Sequence, residues 1–121
     1  MKPLKRHPVL QERSREHHHS LALCVRILRT PSESHQDDIE AHIPDLLKHF
    51  ESEEEQFDGI WHLLDPKLQQ RFESDHRKLR EMAASPEHGN SAWNTEFAQT
   101  LRDHVRFEER ELFPAAQALL D

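Results

Sequence analysis

Two stretches of this chain pair a histidine with a glutamate four residues on: His49-Phe50-Glu51-Ser52-Glu53 and His104-Val105-Arg106-Phe107-Glu108. In an α-helix, residues at i and i+4 share one face, about 6 Å apart along the axis. An imidazole and a carboxylate placed in this way can hold one metal ion, or the carboxylate can reach a second. A single pair is weak evidence, because both residues are common on solvated helix faces. Two copies carry more weight, since each runs into a cluster of glutamates and then a phenylalanine, Phe57 or Phe113.

Composition fits that chemistry. The chain has eleven histidines in 121 residues, and histidine is the commonest metal ligand. This length suits one domain with one core. Only two glycines and no tyrosine argue against a β-rich fold. A net charge of -7 excludes a general nucleic-acid binder. The basic residues near the start (Lys2, Lys5, Arg6, Arg13, Arg15) are too few to define a partner. The single cysteine, Cys24, excludes an internal disulfide and suits a reducing cytoplasm. No signal peptide is visible, and the longest apolar run, Leu21 to Val25, is far too short to span a bilayer. The expectation is a cytoplasmic protein with neither nucleic-acid nor membrane partner. Composition leaves the oligomeric state open.

The elements that position the two pairs follow from apolar spacing. Residues 1–13 hold two prolines and read as an extended N-terminal arm. A first helix starts behind a Ser14 cap and runs to Leu28 or Arg29, with the stripe His18, Leu21, Val25, Leu28. This spacing puts His18 on the core face, with His17 close enough to substitute for it. A second helix runs from Asp37 or Asp38 to about Phe57, its stripe being Ile39, Ile43, Leu46, His49 with Phe50, Glu53 and Phe57. Pro44 falls in its first turns. Asp65 and Pro66 open a third helix with the stripe Leu68, Phe72, His76, Leu79, Ala83. Residues 85–90 form a loop, and Ser91 can cap a fourth helix with the stripe Trp93, Phe97, Leu101, His104, Glu108. Pro114 is expected to stop it, before a short helix over 115–120. Four amphipathic helices on short links make an all-α, up-down-up-down four-helix bundle over about residues 14–114, a single domain.

Every stripe carries ligand-type residues: His18, His49 with Glu53, His76, and His104 with Glu108. Burying two nearby glutamates without partners costs several kcal/mol each, about what a cation between them would remove. Four imidazoles and two carboxylates exceed one tetrahedral zinc. They suit two metals, each with two imidazoles and both bridged by the carboxylates. Ligation by nitrogen and oxygen without thiolate favours Fe or Mn, and Zn is also compatible. His42 lies two turns before His49, about 10 Å away, and can face a cavity mouth. The remaining glutamates of the runs 53–55 and 108–111 read as solvated faces, and Cys24 as a small buried residue.

The motifs Arg15-Glu16-His17-His18, His49-Phe50-x-x-Glu53-Glu54, Asp75-His76-x-x-Leu79 and His104-Val105-x-x-Glu108-Glu109-x-x-Leu112-Phe113-Pro114 resemble the hemerythrin/HHE cation-binding family. The resemblance runs from about Ser14 to Pro114, and the last motif is its most specific part. It implies a hemerythrin-like bundle around a non-haem centre of two Fe, bridged by carboxylates and an oxo or hydroxo group. Carried over by position, the implied ligands are His18, His49, Glu53, His76, His104 and Glu108. The oxygen-carrying members have a second histidine on the third helix; here Phe72 and Arg80 hold the two candidate positions. Those members also place Asp at i+5 of the last motif, where this chain has Glu109. The four-His, two-Glu set is more like the nitric-oxide-responsive iron-sulfur-repair and sensor-like branches.

Two classes of function follow. One is a binding or sensing protein for a small diatomic ligand, O2 or NO. The other is a di-iron oxidoreductase acting on O2, peroxide or NO, or an iron donor for cluster repair. With no reductase domain, cofactor fingerprint or output domain in the sequence, binding or sensing is the expectation. A structural bundle with zinc is the bland alternative.

Overall fold

The computed structural model describes residues 8–120. It contains four long helices, α1 (Pro8–Arg29), α2 (Gln36–Asp58), α3 (Pro66–Ala84) and α4 (Ser91–Phe107). A 3-10 turn, Trp61–Leu63, lies between α2 and α3. After α4 the chain passes through a π-helical turn, Glu108–Leu112, into a terminal helix α5 (Phe113–Leu120). Among the described residues there is no strand, and no helix is long and apolar enough to cross a membrane. Helix α1 packs on α2 and α4, and α3 packs on the same two. The four helices thus close a ring, as a four-helix bundle does, and links this short make successive helices antiparallel.

Local chemistry sets the starts of α3 and α4. Asp65 accepts from the Lys67 N–H at 2.9 Å, with Pro66 in the first turn of α3, where its missing N–H costs nothing. The cap of α4 is Asn90 rather than Ser91. Its side chain accepts from Ala92 and Trp93 N–H at 2.9 and 3.3 Å, which leaves Ser91 as the first helical residue. Pro44 lies inside α2 on an exposed face, so the helix runs through it and forgoes one backbone hydrogen bond.

Four expectations change. The expected arm over 1–13 is helical from Pro8, and residues 1–7, with Lys2, Lys5, Arg6 and His7, lie outside the described residues. The buried stripe of α1 is Leu10, His17, Ser20, Cys24 and Ile27, whereas Val25 is 49% exposed and His18 is exposed. The helix is therefore turned by one residue, about 100°, from the expected face. Leu10 explains why: it sits in a buried cluster with Phe57, Phe72, Phe107 and Phe113, and the seven-residue steps Leu10, His17, Cys24 follow from it. Ser14, mid-helix, donates to Glu109 at 3.0 Å instead of capping. Finally, Pro114 does not end the helical path. A proline ring clashes with the carbonyl four residues back. In the π-helical turn the Phe113 N–H reaches Glu108 O, five residues back, which widens the ladder ahead of the ring.

The core has two parts. One gathers Leu23, Cys24, Ile27, Phe50, Leu79, Phe97 and Leu101, among others. The second gathers Leu10, Phe57, Phe72, Phe107, Leu112, Phe113 and Ala116. Phe50 of the first stacks on His76 and Phe72 of the second lies tilted against it, each with ring centroids 4.0 Å apart, so the polar residues of the stripes sit where the two parts meet.

Candidate metal centre

Six side chains converge between the two apolar clusters: His17, His49, Glu53, His76, His104 and Glu108, all buried. They divide into two groups of four that could each hold a metal ion. One is His17, His49, Glu53 and Glu108; the other is Glu53, His76, His104 and Glu108, with donor atoms within 4.8 Å of one another in each. Both glutamates belong to both groups. Glu53 Oε1 lies 3.0 Å from His49 Nε2 on its own helix and 3.6 Å from His76 Nε2 on the next. Glu108 Oε1 lies 3.1 Å from His104 Nε2 and 3.0 Å from His17 Nε2. Each carboxylate thus reaches one imidazole of its own half of the chain and one of the other half.

The structure brings His49, Glu53, His76, His104 and Glu108 to this centre but not His18. With α1 turned about its axis, His18 faces outward and His17 takes the place foreseen for it. His17 is also stacked on Phe113 at 5.5 Å, a contact supplied by α5. His42 stays apart, its Nε2 2.8 Å from Ser20 Oγ. It lines a cleft of about 610 Å³ between α1 and α2, whose wall also includes Glu16 and His49.

An outer ring of carboxylates went unread in the sequence. His17 Nδ1 lies 3.2 Å from Glu109, His76 Nδ1 2.9 Å from Glu54 and His104 Nδ1 2.9 Å from Asp75. His49 Nδ1 lies 3.2 Å from Glu16, though without hydrogen-bond alignment. Each helix therefore lends an acid to the imidazole of the next: α1 to α2, α2 to α3, α3 to α4, and the turn after α4 back to α1. Glu54 and Glu109, expected on solvated faces, belong to this ring. The signal was present, because every one of these acids is adjacent in sequence to a residue of the centre: Glu16-His17, Glu53-Glu54, Asp75-His76, Glu108-Glu109. A neighbour on a helix points about 100° away, toward the adjacent helix. Carboxylates on the outer nitrogen are what metal-binding imidazoles ordinarily use to fix tautomer and orientation.

The electrostatics describe a cluster built around positive charge. Burial pushes His17 down, but Glu108 and Glu109 outweigh it and raise the group to about 9. Burial opposes the charge on His104 as well, yet Glu108 and Asp75 raise it to about 10. His49 is raised likewise, by Glu53 against its burial. Of the two carboxyls, Glu53 is pushed up by burial and by the charge of Glu108. Glu108 is held well below the usual carboxylate range because His104 and His17 overcome its burial. Without a metal, protons on His17 and His104 offset the buried carboxylate charge.

The residues fit a metal. Both oxygens of Glu53, Oε2 of Glu108 and the Nε2 atoms of His49, His76 and His104 are buried without a hydrogen-bond partner. Several of these atoms lie at ion-pair distance from one another without hydrogen-bond alignment, and a buried polar atom left unsatisfied costs about 1–3 kcal/mol. A cation held there would satisfy them together. The donors are imidazole and carboxylate only; Cys24 is buried in the apolar cluster with Leu23 and Ile27. Comparison of the chain with protein-family models, with curated proteins and with solved structures gives no match.

Proposed function

We propose that this protein is a hemerythrin-like, non-haem di-iron protein that binds a small diatomic ligand, O2 or NO, in a binding or sensing role. The observation that carries the reading is the sharing of Glu53 and Glu108 between two four-donor groups. Two metals would fit such a set, His17 and His49 holding one and His76 and His104 the other, with Glu53 and Glu108 in reach of both. Iron is favoured because imidazole with carboxylate, and no thiolate, is a ligand set on which non-haem iron keeps open coordination positions. Bound there, iron would supply the redox and ligand-binding chemistry that no side chain of this chain has. The protein orients the imidazoles, shields the centre with Phe50, Phe72 and Phe113, and balances its charge with the outer acids. A second reading, a di-iron oxidoreductase or an iron donor for cluster repair, draws on the α1–α2 cleft, which is larger than a diatomic molecule needs.

The test is metal content after anaerobic Fe(II) loading, followed by the visible spectrum on exposure to O2 and then NO. Two irons per chain with a new visible band support the di-iron reading. A band that reverses when O2 is removed marks a carrier or sensor, and irreversible decay with turnover of a reductant marks the enzyme. Glu53→Gln or Glu108→Gln should leave fewer than two metals per chain. Less than one metal in the wild type, with no spectral change, sinks the reading. Zinc retention unaffected by either substitution would leave the structural bundle.

A further inference from the structure

Helix α3 gives the centre one imidazole, His76, with Phe72 one turn before it and Arg80 one turn after. Neither neighbour is a metal donor, yet both act on His76. The ring is held between Phe50 and Phe72, each with its centroid 4.0 Å away. Its outer nitrogen, Nδ1, lies 2.9 Å from Glu54 Oε2. Arg80 grips that same carboxylate with both terminal nitrogens, Nη1 to Oε2 at 2.6 Å and Nη2 to Oε1 at 2.9 Å. A two-pronged contact of this kind fixes a carboxylate in plane and angle, which an ammonium cannot do.

The consequence is a question of who owns a proton. A guanidinium only donates, so both oxygens of Glu54 are engaged as acceptors. The hydrogen between Oε2 and His76 therefore belongs to Nδ1. In the neutral ring that leaves Nε2 as a bare lone pair, and Nε2 is the atom that faces Glu53 and the centre. A looser version, with one contact instead of two, lies on the same helix. Arg71 Nε donates to Asp75 Oδ2 at 2.9 Å, and the same oxygen lies 2.9 Å from His104 Nδ1. Both arginines reach solvent, their side chains 37% and 45% exposed, while the two imidazoles are 1% exposed. Exposed ion pairs add little to folding, so stability alone gives no reason for the Arg80 fork.

We propose that Arg80 is a positioning residue of the metal centre. It locks the Glu54 carboxylate, which sets the tautomer and angle of the His76 imidazole. The proposal rests on the reading of His76 as a metal ligand given above.

The test compares Arg80→Gln and Arg80→Lys with Arg77→Gln, an exposed arginine on the same helix. In the metal-free protein, the His76 Nδ1–H proton is followed by NMR for exchange with water. It should exchange slowly in the wild type and in Arg77→Gln, and at least about tenfold faster in Arg80→Gln. In protein loaded with Zn(II), release of metal to a chelator should quicken about ten- to a hundredfold in Arg80→Gln, the usual range for loss of an outer partner. Arg80→Lys, which keeps the charge and loses the fork, should fall between. Helical content and thermal midpoint should match those of Arg77→Gln. Unchanged proton exchange and metal release in Arg80→Gln would overturn the proposal, as would a lysine variant identical to the wild type in both. If the wild type takes up no metal, the functional reading fails, and proton exchange alone still decides whether Arg80 fixes His76.

Discussion

At the scale of single residues, the centre depends on which of two adjacent histidines faces inward. Their chemistry is the same, so only the turn of α1 separates them. His17→Ala should therefore cost at least one metal per chain after Fe(II) loading, while His18→Ala should bind as the wild type does; the reverse result would put the face of α1 in error. Metal content by elemental analysis decides it. The raised imidazoles make a second prediction. In the metal-free protein His17 and His104 keep their protons up to about 9 and 10, above the ordinary 6.5. An incoming ion must displace them, so uptake releases protons and apparent affinity rises with pH across this range. The same shift sets the sign for stability. A group whose folded value is raised stabilises most below 6.5, and that contribution disappears as pH climbs through 9 to 10. Thermal midpoints of the metal-free protein should fall over that window, whereas metal-loaded protein, with the protons already gone, should stay level. His49, Glu53, His76, His104 and Glu108 were legible in the sequence because each lies on a stripe fixed by large apolar neighbours. His17 was not, because the stripe of α1 is weak in both candidate registers and the deciding Leu10 fell in a stretch read as an arm.

At the scale of elements, the π-helical turn deserves a test of its own, since it lies between Glu108 and the phenylalanine that stacks on His17. Such a turn holds one residue more than an α-helix would. Deleting Arg110, which is exposed there, should restore a regular helix and bring the Pro114 ring against a carbonyl. The expected loss is about 3 kcal/mol, the usual cost of an interior proline. Pro114→Ala in the same deletion should recover most of it, and denaturant unfolding of the pair checks this. If the deletion alone is neutral, the turn does not serve to accommodate the proline. No spacing rule could have foreseen the feature. Pro114 was read as a stop because a proline ordinarily ends a regular helix, and only the packing of Phe113 and Ala116 against Leu10 and Phe57 shows why the chain continues. The helix start at Pro66 was readable from capping chemistry, which acts within a single turn, and the second helix begins at Gln36, within two residues of the expected start.

At the scale of the whole molecule, an all-helical chain of four long helices followed directly from stripe spacing and short links. The ring of outer acids did not, because it depends on which helices are neighbours, and a single stripe cannot report that. The arrangement also gives the two halves of the chain a shared obligation. The first half, α1 with α2, supplies three donors of one group and lacks only Glu108; the second supplies three of the other and lacks only Glu53. Neither hairpin owns a complete site. A protease cut within residues 59–65, where His62 and Leu63 are exposed, would leave two fragments that each carry the other's missing ligand. Such a nicked protein should run as one species while loaded with metal. On chelation the fragments should separate, as native mass spectrometry would show directly. The ion would then be acting as a reversible rivet between two hairpins, so that the metal supply could set whether the molecule stays whole.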